Sequence, residues 1–375
     1  MKVVIVGGVA GGATTATRLR RLDENMQIIL FERGNYISFA NCGLPYYIGD
    51  IIENKEDLLV QTPQKFKRRF NIDVRIKEEV IKIDRKNKKI KIKNFKNGEE
   101  YEETYDKLVL SPGAEPINPF KNIKTDKIQT LRTVEDSLKI KEYIQNKKPK
   151  NISIIGGGYI GVEIAENICK YKDVKVSIIE KSNHLIAPLD EDIASFVHKK
   201  LINNHVNLIL ENGVKEIQKK DDYLKIILEE GEIETDFIIL CIGVKPETEL
   251  ATQCDIQKNE KGSIVVNEYM QTSDENIYAL GDCIQVENSV TKMPAYIPLA
   301  GPANRQARVV ANHICNIKRC YKGSIGSSIL KVFDNVLGIT GINEATCIAN
   351  KISYKVIIIS PFSHATYYPG ASMLT

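Results

Sequence analysis

The chain opens with an apolar run, a glycine-rich turn, an amphipathic stretch and a second apolar run. This pattern predicts a strand over Lys2–Val6, a turn over Gly7–Gly12, a helix from Gly11 to about Asp23 and a strand over Gln27–Phe31. An apolar run of about four to eight residues between turn residues is typical of a strand that is buried on both faces. The start of the chain therefore predicts a β-α-β unit.

The same pattern returns near Asn151. It predicts a strand over Ile152–Ile155, a turn over Gly156–Gly161, a helix over Val162–Tyr171 and a strand over Val174–Ile179. Since the two units start about 150 residues apart and each can cradle one dinucleotide, we expect an α/β fold with two Rossmann-type dinucleotide-binding domains.

Further apolar segments predict the other strands of these domains. They are Asp73–Lys77, Val80–Lys93, Lys107–Leu110, Phe237–Cys241 and Ile277–Leu280. A helix is predicted from Ala303 to about Asn316, and the residues from about Ser327 predict a third unit that is rich in β structure.

Charge and composition exclude several classes of protein. The net charge is +4, from 52 basic and 48 acidic residues, which is too balanced for a typical nucleic-acid-binding protein. No apolar stretch reaches the roughly 18 residues that a membrane span needs, and the apolar start is too short for a signal peptide. The eight cysteines form no Cys-x-x-Cys pair and the five histidines have no metal-ligand spacing. We therefore expect no metal, and a cytoplasmic protein with reduced thiols.

The second glycine turn carries a full dinucleotide fingerprint, formed by Gly156, Gly158 and Gly161. The first glycine makes the tight turn, the second lets the backbone approach a pyrophosphate, and the third lets the helix pack on the strand. Glu180 follows Gly161 by 19 residues, where a carboxylate can hold ribose hydroxyls.

The first glycine turn is a defective copy, because Val9 replaces the middle glycine. Glu32 nevertheless ends the next strand, as Glu180 does in the second unit. Asp282 ends a later strand, where its carboxylate can accept a hydrogen bond from a ribityl hydroxyl. By themselves, the turn could be purely structural and Asp282 an ordinary strand-ending acid.

Cys42 lies ten residues after Glu32, on the loop that leaves the second strand. That loop starts at the carboxyl edge of the sheet, where cofactors bind. Because Pro45 suits the first turn of a helix, we expect Cys42 near a helix N-terminus. The helix dipole would then lower the thiol pKa below its free value of about 8.5. The other seven cysteines are interpreted as structural.

Together these features resemble the pyridine nucleotide-disulfide oxidoreductases. The resemblance rests on both Rossmann units, Cys42, the Ser-Pro-Gly-Ala of Ser111–Ala114 and the Tyr-Ala-Leu-Gly-Asp of Tyr278–Asp282. Most members have a second redox cysteine where this chain has Tyr47, so the chain resembles the single-cysteine branch. Within that branch, the Ser-Phe-Ala-Asn-Cys-Gly-Leu-Pro-Tyr of Ser38–Tyr46 is most similar to the coenzyme A-disulfide reductases.

The resemblance implies a glutathione-reductase-like organisation. Residues 1–116 and 255–325 would form a discontinuous FAD-binding domain, and residues 117–254 an NAD(P)-binding domain. Residues 326–375 would begin an α+β dimerisation domain that is incomplete in this chain, so the expected homodimer would need its remainder. Some relatives also carry a rhodanese domain.

The resemblance also implies which residues bind each partner. FAD would contact Gly7, Gly8, Gly11, Gly12, Glu32, Arg33, Val80, Ser111, Gly113, Arg132, Asp282 and Ala300. The nicotinamide dinucleotide would contact Gly156, Gly158, Tyr159, Ile160, Gly161, Glu163, Glu180 and Gly243. Coenzyme A would contact Thr14, Arg18, Arg21, Ser38 and Asn41, although Arg18 and Arg21 could equally form a solvated basic helix face.

The implied activity is FAD-dependent reduction of CoA disulfide, or of CoA persulfide or polysulfide, by NAD(P)H through Cys42. NADH is favoured over NADPH because Glu180 would repel a 2′-phosphate, although Lys181 could attract one. Tyr367 or Tyr368 would be the acid for the leaving thiolate, Tyr159 a gate over the flavin, and Glu163 an orienting group for the nicotinamide. Two alternatives stay open. One is an NADH oxidase or peroxidase that cycles through a cysteine sulfenic acid, where Ala10 argues against the peroxidase. The other is a catalytically silent flavoprotein fragment.

Overall fold

The computed structural model describes all 375 residues, which form two parallel five-stranded sheets with smaller antiparallel sheets attached. The strands are β1 (Lys2–Val6), β2 (Gln27–Glu32), β3 (Asp73–Ile76), β4 (Glu78–Asp84), β5 (Lys89–Asn94), β6 (Glu100–Thr104), β7 (Lys107–Leu110), β8 (Ala114–Pro116), β9 (Ile128–Thr130), β10 (Asn151–Ile155), β11 (Lys175–Ile179), β12 (Val206–Ile209), β13 (Val214–Lys219), β14 (Leu224–Leu228), β15 (Glu232–Thr235), β16 (Phe237–Leu240), β17 (Val244–Pro246), β18 (Ile277–Ala279), β19 (Val286–Glu287), β20 (Pro294–Ala295), β21 (Ser328–Val332) and β22 (Asn335–Ile339). The α-helices are α1 (Ala10–Leu22), α2 (Leu44–Ile48), α3 (Pro63–Phe70), α4 (Val134–Lys147), α5 (Tyr159–Ile168), α6 (Glu191–Asn203), α7 (Glu249–Gln253), α8 (Ala300–Ile314) and α9 (Glu344–Ala349).

The first parallel sheet has the strand order β18-β7-β1-β2-β3. Its central strand β1 pairs with β2 on one side and with β7 on the other. Every residue of Val3–Ile5 is fully buried, as expected for a strand that helices or sheets cover on both faces. β18 completes the edge by pairing with β7. All five strands of the second parallel sheet lie between these two strands in the sequence.

The second parallel sheet has the order β12-β11-β10-β16-β9 and is built only from residues between Ile128 and Leu240. Its central strand β10 pairs in parallel with β11 and β16. The two parallel sheets confirm the predicted α/β fold with two Rossmann-type units.

The smaller sheets connect and extend these two units. Strands β4, β5 and β6 form one antiparallel sheet, and β13, β14 and β15 form another. β8 and β17 form an antiparallel pair. The hairpin of β21 and β22 and the short helix α9 make up the third unit, after which residues 352–375 form no helix or strand. The predicted β-rich character of this unit is therefore limited to one hairpin. The domain boundaries stay a prediction.

Two helices begin earlier than the hydrophobic pattern predicts. α5 begins at Tyr159 instead of Val162, so Gly161 lies inside the helix, and α8 begins at Ala300 instead of Ala303. Apolar periodicity misses such first turns because they carry few buried side chains. No helix of the chain combines the length and apolar character that crossing a membrane requires.

Candidate active site

The first glycine turn joins β1 to α1 and is tightly enclosed. Gly7 has a φ of +95°, and a Cβ atom there would collide with the carbonyl of Ser111. The backbone N–H groups of Gly8 and Gly34 donate hydrogen bonds of 2.9 and 2.8 Å to the carboxylate of Glu32. Burial nevertheless raises the pKa of Glu32. The sequence thus places an acid at the turn, where the backbone fixes its orientation.

A cavity of about 670 Å³ opens beside this turn. Gly7, Glu32, Arg33 and Val80 line it, and all four were predicted to contact FAD. A cavity of this size suits a dinucleotide of extended shape. The glycine cradle and this cavity are therefore compatible with FAD.

Asp282 and Arg132 meet close to this turn, although 150 residues separate them in the chain. Their side chains form a salt bridge of 2.6 Å in which both are largely buried. Gly113, with a φ of +81°, approaches the guanidinium group of Arg132. The structure thus brings together three predicted FAD contacts from three segments, while Ala300 starts α8 as an exposed residue.

The second glycine turn repeats this arrangement between β10 and α5. Gly156 has a φ of +103°, and a Cβ there would collide with the carbonyl of Cys241. The N–H group of Gly157 donates a hydrogen bond of 2.8 Å to Glu180. No atom lies within 4 Å of the position that a Cβ of Gly158 would take. The middle glycine therefore opens on free space, as a site for a pyrophosphate requires.

Other predicted nicotinamide contacts lie around this turn. Gly243 follows β16 with a φ of +100°. Tyr159 and Ile160 form the first turn of α5, and the hydroxyl of Tyr159 is 2.7 Å from the Oγ atom of Ser328. Glu163 is largely buried on the same helix, and burial together with the nearby Glu166 raises its pKa to about 7.

Cys42 lies in the short 3₁₀ helix Asn41–Gly43, directly before α2, as the position of Pro45 predicts. Its side chain is accessible to solvent, yet partial burial and the carboxylate of Glu163 raise the pKa of its thiol. The prediction that the helix lowers the pKa of the Cys42 thiol is therefore wrong. α2 has only five residues, so its dipole is small, and the nearest influential charge is negative.

The C-terminal end of α2 is fixed by two side chains, one from α4 and one from the loop after α5. Lys141, which is buried on α4, donates a hydrogen bond of 2.9 Å to the carbonyl of Tyr47 and lies 4.0 Å from the centre of its ring. Lys141 also forms an ion pair of 2.7 Å with Asp50. The hydroxyl of Tyr171 donates to the carbonyl of Ile48. No sequence motif pointed to Lys141 or Tyr171, which together anchor the segment that carries Cys42.

The residues predicted to bind coenzyme A do not all lie at one place in the structure. The hydroxyl of Thr14 donates a hydrogen bond of 2.6 Å to Asn304, and the guanidinium group of Arg18 donates to Asn312, so both contact α8. Arg21 instead lies 5.7 Å from the ring centre of Phe70, at the end of α3. The two arginines therefore contact different helices.

Two further residues of this predicted set flank the cysteine. Ser38 has a φ of +46°, and the side-chain amide of Asn41 donates a hydrogen bond of 3.3 Å to the carbonyl of Arg132. Asn41 therefore links the Cys42 turn to the residue that pairs with Asp282.

Tyr367 and Tyr368 lie in the C-terminal segment, with 90% and 67% of their surface exposed. The ring of Tyr368 contacts His364 edge-on, with 5.8 Å between ring centres. With so much of each ring in solvent, neither packs against the Cys42 segment of the chain. Their role as an acid stays a prediction.

Comparison with known proteins adds independent information. The model of the family described as "Pyridine nucleotide-disulphide oxidoreductase" matches residues 1–307. A coenzyme A disulfide reductase of Staphylococcus haemolyticus is 35% identical over 370 residues, which cover 98% of this chain and 82% of that protein.

Solved structures resemble nearly the whole chain. Reduced CoADR-RHD of Bacillus anthracis is 46% identical with a TM-score of 0.95, over 99% of this chain and 67% of that chain. A NAD-dependent persulfide reductase of A. fulgidus is 35% identical with a TM-score of 0.94, over 100% of this chain and 70% of that chain. A water-forming NADH oxidase of Lactobacillus brevis is 27% identical with a TM-score of 0.92, over 99% of this chain and 82% of that chain.

Proposed function

Because this chain belongs to the pyridine nucleotide-disulphide oxidoreductase family, we propose that it uses FAD and NAD(P)H to reduce CoA disulfide, CoA persulfide or polysulfide through Cys42. One observation supports disulfide reduction through a single thiol. Cys42 is an accessible thiol on the loop after β2, and Tyr47 stands where a second redox cysteine would be required for an internal disulfide. A single thiol of this kind, without a partner cysteine beside it, is suited to form a mixed disulfide with a small molecule.

The residues of the first unit suit FAD. Glu32 would hold ribose hydroxyls, and the backbone of the glycine turn, which lines the cavity at Gly7, would face the pyrophosphate. Asp282 would accept a hydrogen bond from a ribityl hydroxyl in place of part of its pairing with Arg132. When bound, FAD supplies the two-electron relay between the nicotinamide and the thiol.

The residues of the second unit suit a nicotinamide dinucleotide. Gly158 leaves room for the pyrophosphate, and Glu180 would accept hydrogen bonds from the adenosine ribose. A 2′-phosphate at that ribose would face the carboxylate of Glu180, so we propose a preference for NADH. Lys181, which is exposed beside it, is the cation that could weaken this preference.

Thiol–disulfide exchange at Cys42 accounts for the overall reaction. The Cys42 thiolate attacks one sulfur of CoA disulfide, so that a mixed disulfide of Cys42 and CoA forms and one CoA thiolate leaves. Two electrons from NAD(P)H then cleave the mixed disulfide into a second CoA thiolate and the Cys42 thiolate. Protons from solvent neutralise the products, and two molecules of CoA are formed for each NAD(P)H oxidised.

Glu163 gives this cycle a dependence on protonation. At a pKa of about 7, its carboxyl is close to half protonated at neutral pH. The neutral form does not oppose a thiolate at Cys42, whereas the charged form does. We propose that Glu163 moderates the reactivity of Cys42, in addition to its predicted contact with the nicotinamide.

The substrate would reach Cys42 from the side of α1. We propose that Thr14, Arg18, Arg21, Ser38 and Asn41 contact coenzyme A, because guanidinium groups on α1 can bind its phosphates. The persulfide variant is supported by the similarity to the A. fulgidus persulfide reductase. We further propose a cytoplasmic location, since the eight cysteines form no disulfide among themselves. A homodimer is proposed from the family resemblance, for a chain with a complete C-terminal domain.

An NADH oxidase is the second candidate, supported by the similarity to the L. brevis enzyme. In that case Cys42 would cycle through a sulfenic acid, with oxygen as the oxidant. Mass spectrometry of the purified protein separates the two. A coenzyme A adduct on Cys42 that dithiothreitol removes supports the disulfide reductase. NADH-dependent oxygen consumption without such an adduct, and without turnover of CoA disulfide, supports the oxidase.

A further inference from the structure

The side chain of Tyr159 is joined to a residue of the third unit. Its hydroxyl lies 2.7 Å from the Oγ atom of Ser328, although the two residues are 169 positions apart. Tyr159 is the first residue of α5 and directly follows Gly158, beside which space is open. Ser328 is the first residue of β21.

The packing of β21 fixes the position of Ser328. Side chains alternate between the two faces of a strand, so Ser328, Leu330 and Val332 share one face. Leu330 and Val332 are buried in the hydrophobic core that also contains residues of α5 and α6. The third member of this face is therefore directed at the start of α5.

A second contact holds the same strand against the same helix. The ammonium group of Lys331 lies 3.7 Å from the carboxylate of Glu166, which is 1% exposed. Since Glu166 is on α5, the strand is attached to the helix at two points along its length. The bond between Ser328 and Tyr159 is thus supported by a docked strand on one side and a helix on the other.

We propose that Ser328 is a positioning residue that holds Tyr159 in a closed position, so that nicotinamide binding has to break this hydrogen bond. This inference rests on the proposed function, in which Tyr159 is the gate in front of the flavin. The tyrosine stands at the middle glycine of the fingerprint, and the bound nicotinamide half has to pass this point. Ser328 itself would contact neither cofactor.

The bond lowers the population of the open gate. The apparent dissociation constant of a ligand that binds only the open form rises as the open fraction falls. A hydroxyl–hydroxyl bond of ordinary net strength changes such an equilibrium by about twofold to tenfold. Removing the bond should therefore tighten nicotinamide binding by about that factor, whereas a substitution that merely damages the fold would weaken binding.

Calorimetric titration of the FAD-loaded full chain with oxidised NAD tests the proposal, because this probe transfers no hydride. Ser328→Ala removes the hydroxyl, and Ser328→Thr keeps it. Ser327→Ala is the matched control, since Ser327 forms a bond of the same 2.7 Å with Thr340, directly outside the ends of β21 and β22. Tyr159→Phe removes the bond from the other side and keeps the aromatic ring.

We expect Ser328→Ala and Tyr159→Phe to bind NAD about twofold to tenfold more tightly than the wild type, and the other two variants to bind like the wild type. Equal affinities in all five proteins, or weaker binding in Ser328→Ala and Tyr159→Phe, would overturn the role of Ser328 alone. A wild type that binds no NAD would overturn the proposed function and, with it, this inference. If Ser328→Ala does not fold, Tyr159→Phe decides by the same criterion.

Discussion

Glu163 provides a quantitative test of the environment around Cys42. The carboxyl is largely buried on α5, it accepts no hydrogen bond from another side chain, and Glu166 lies on the same helix. These surroundings disfavour its charged form. We predict that Glu163→Gln stabilises the protein at alkaline pH, because the amide keeps the shape of the side chain and carries no charge.

The size of the effect follows from the pKa. The folded chain raises the pKa of Glu163 from 4.5 to about 7, and each unit corresponds to about 1.4 kcal/mol. Because the folded pKa lies above the unfolded one, the stability is fully present below pH 4.5 and is lost as the pH rises through about 7. Between pH 5 and 8, the charged form should therefore cost about 2 to 3 kcal/mol of unfolding free energy.

Urea unfolding of the wild type and the variant, each at pH 5 and pH 8, measures this difference. Glu142→Gln is the matched control, since Glu142 is exposed on α4 and forms no ion pair. The gain in stability from Glu163→Gln should be about 2 to 3 kcal/mol larger at pH 8 than at pH 5. An equal gain at both pH values, or the same pattern in the control, would refute the reasoning.

Three further predictions concern Lys141, Glu180 and Cys42. Lys141→Met should lower the unfolding free energy by about 2 to 3 kcal/mol, because a charge-assisted hydrogen bond and a cation–π contact with Tyr47 are lost. Urea titration measures this change. In the same titration Lys139→Met, at an exposed position of the same helix, should change the unfolding free energy little. Glu180→Ala should reduce the ratio of kcat/KM for NADH over NADPH, and a wild type that prefers NADPH would contradict the assignment. Cys42→Ser should retain FAD and its reduction by NADH but lose CoA-disulfide turnover, so substantial remaining turnover would exclude a single-thiol mechanism.

The two glycine turns could be predicted because their signal is local. A strand, a turn and a helix follow one another within about 25 residues around Gly7 and again around Gly156. The acids that end the next strands, Glu32 and Glu180, are also within that reach, and each accepts a hydrogen bond from its turn. Adjacent elements of this kind leave a readable pattern in the sequence.

The contacts between distant segments could not be predicted in this way. Lys141 is 94 residues from Tyr47, and Ser328 is 169 residues from Tyr159. Each pair depends on how helices and strands of different units pack, and a lysine or serine alone carries no sign of its partner. The pKa of Cys42 was predicted wrongly for the same reason. The sequence indicates the following helix but not the buried Glu163 opposite the thiol.

The late position of β18 affects the order in which this chain can fold during its synthesis. The second sheet needs no residue beyond Leu240, whereas the first needs Ile277–Ala279 to complete its edge. At a synthesis rate of roughly 5 to 20 residues per second, β7 waits roughly 10 to 30 seconds with one edge unpaired. An unpaired apolar edge is a template for pairing with other chains. The nascent protein is therefore most exposed to misassembly after β7 has been made and before β18 pairs with it. A chaperone would have its greatest effect during this interval.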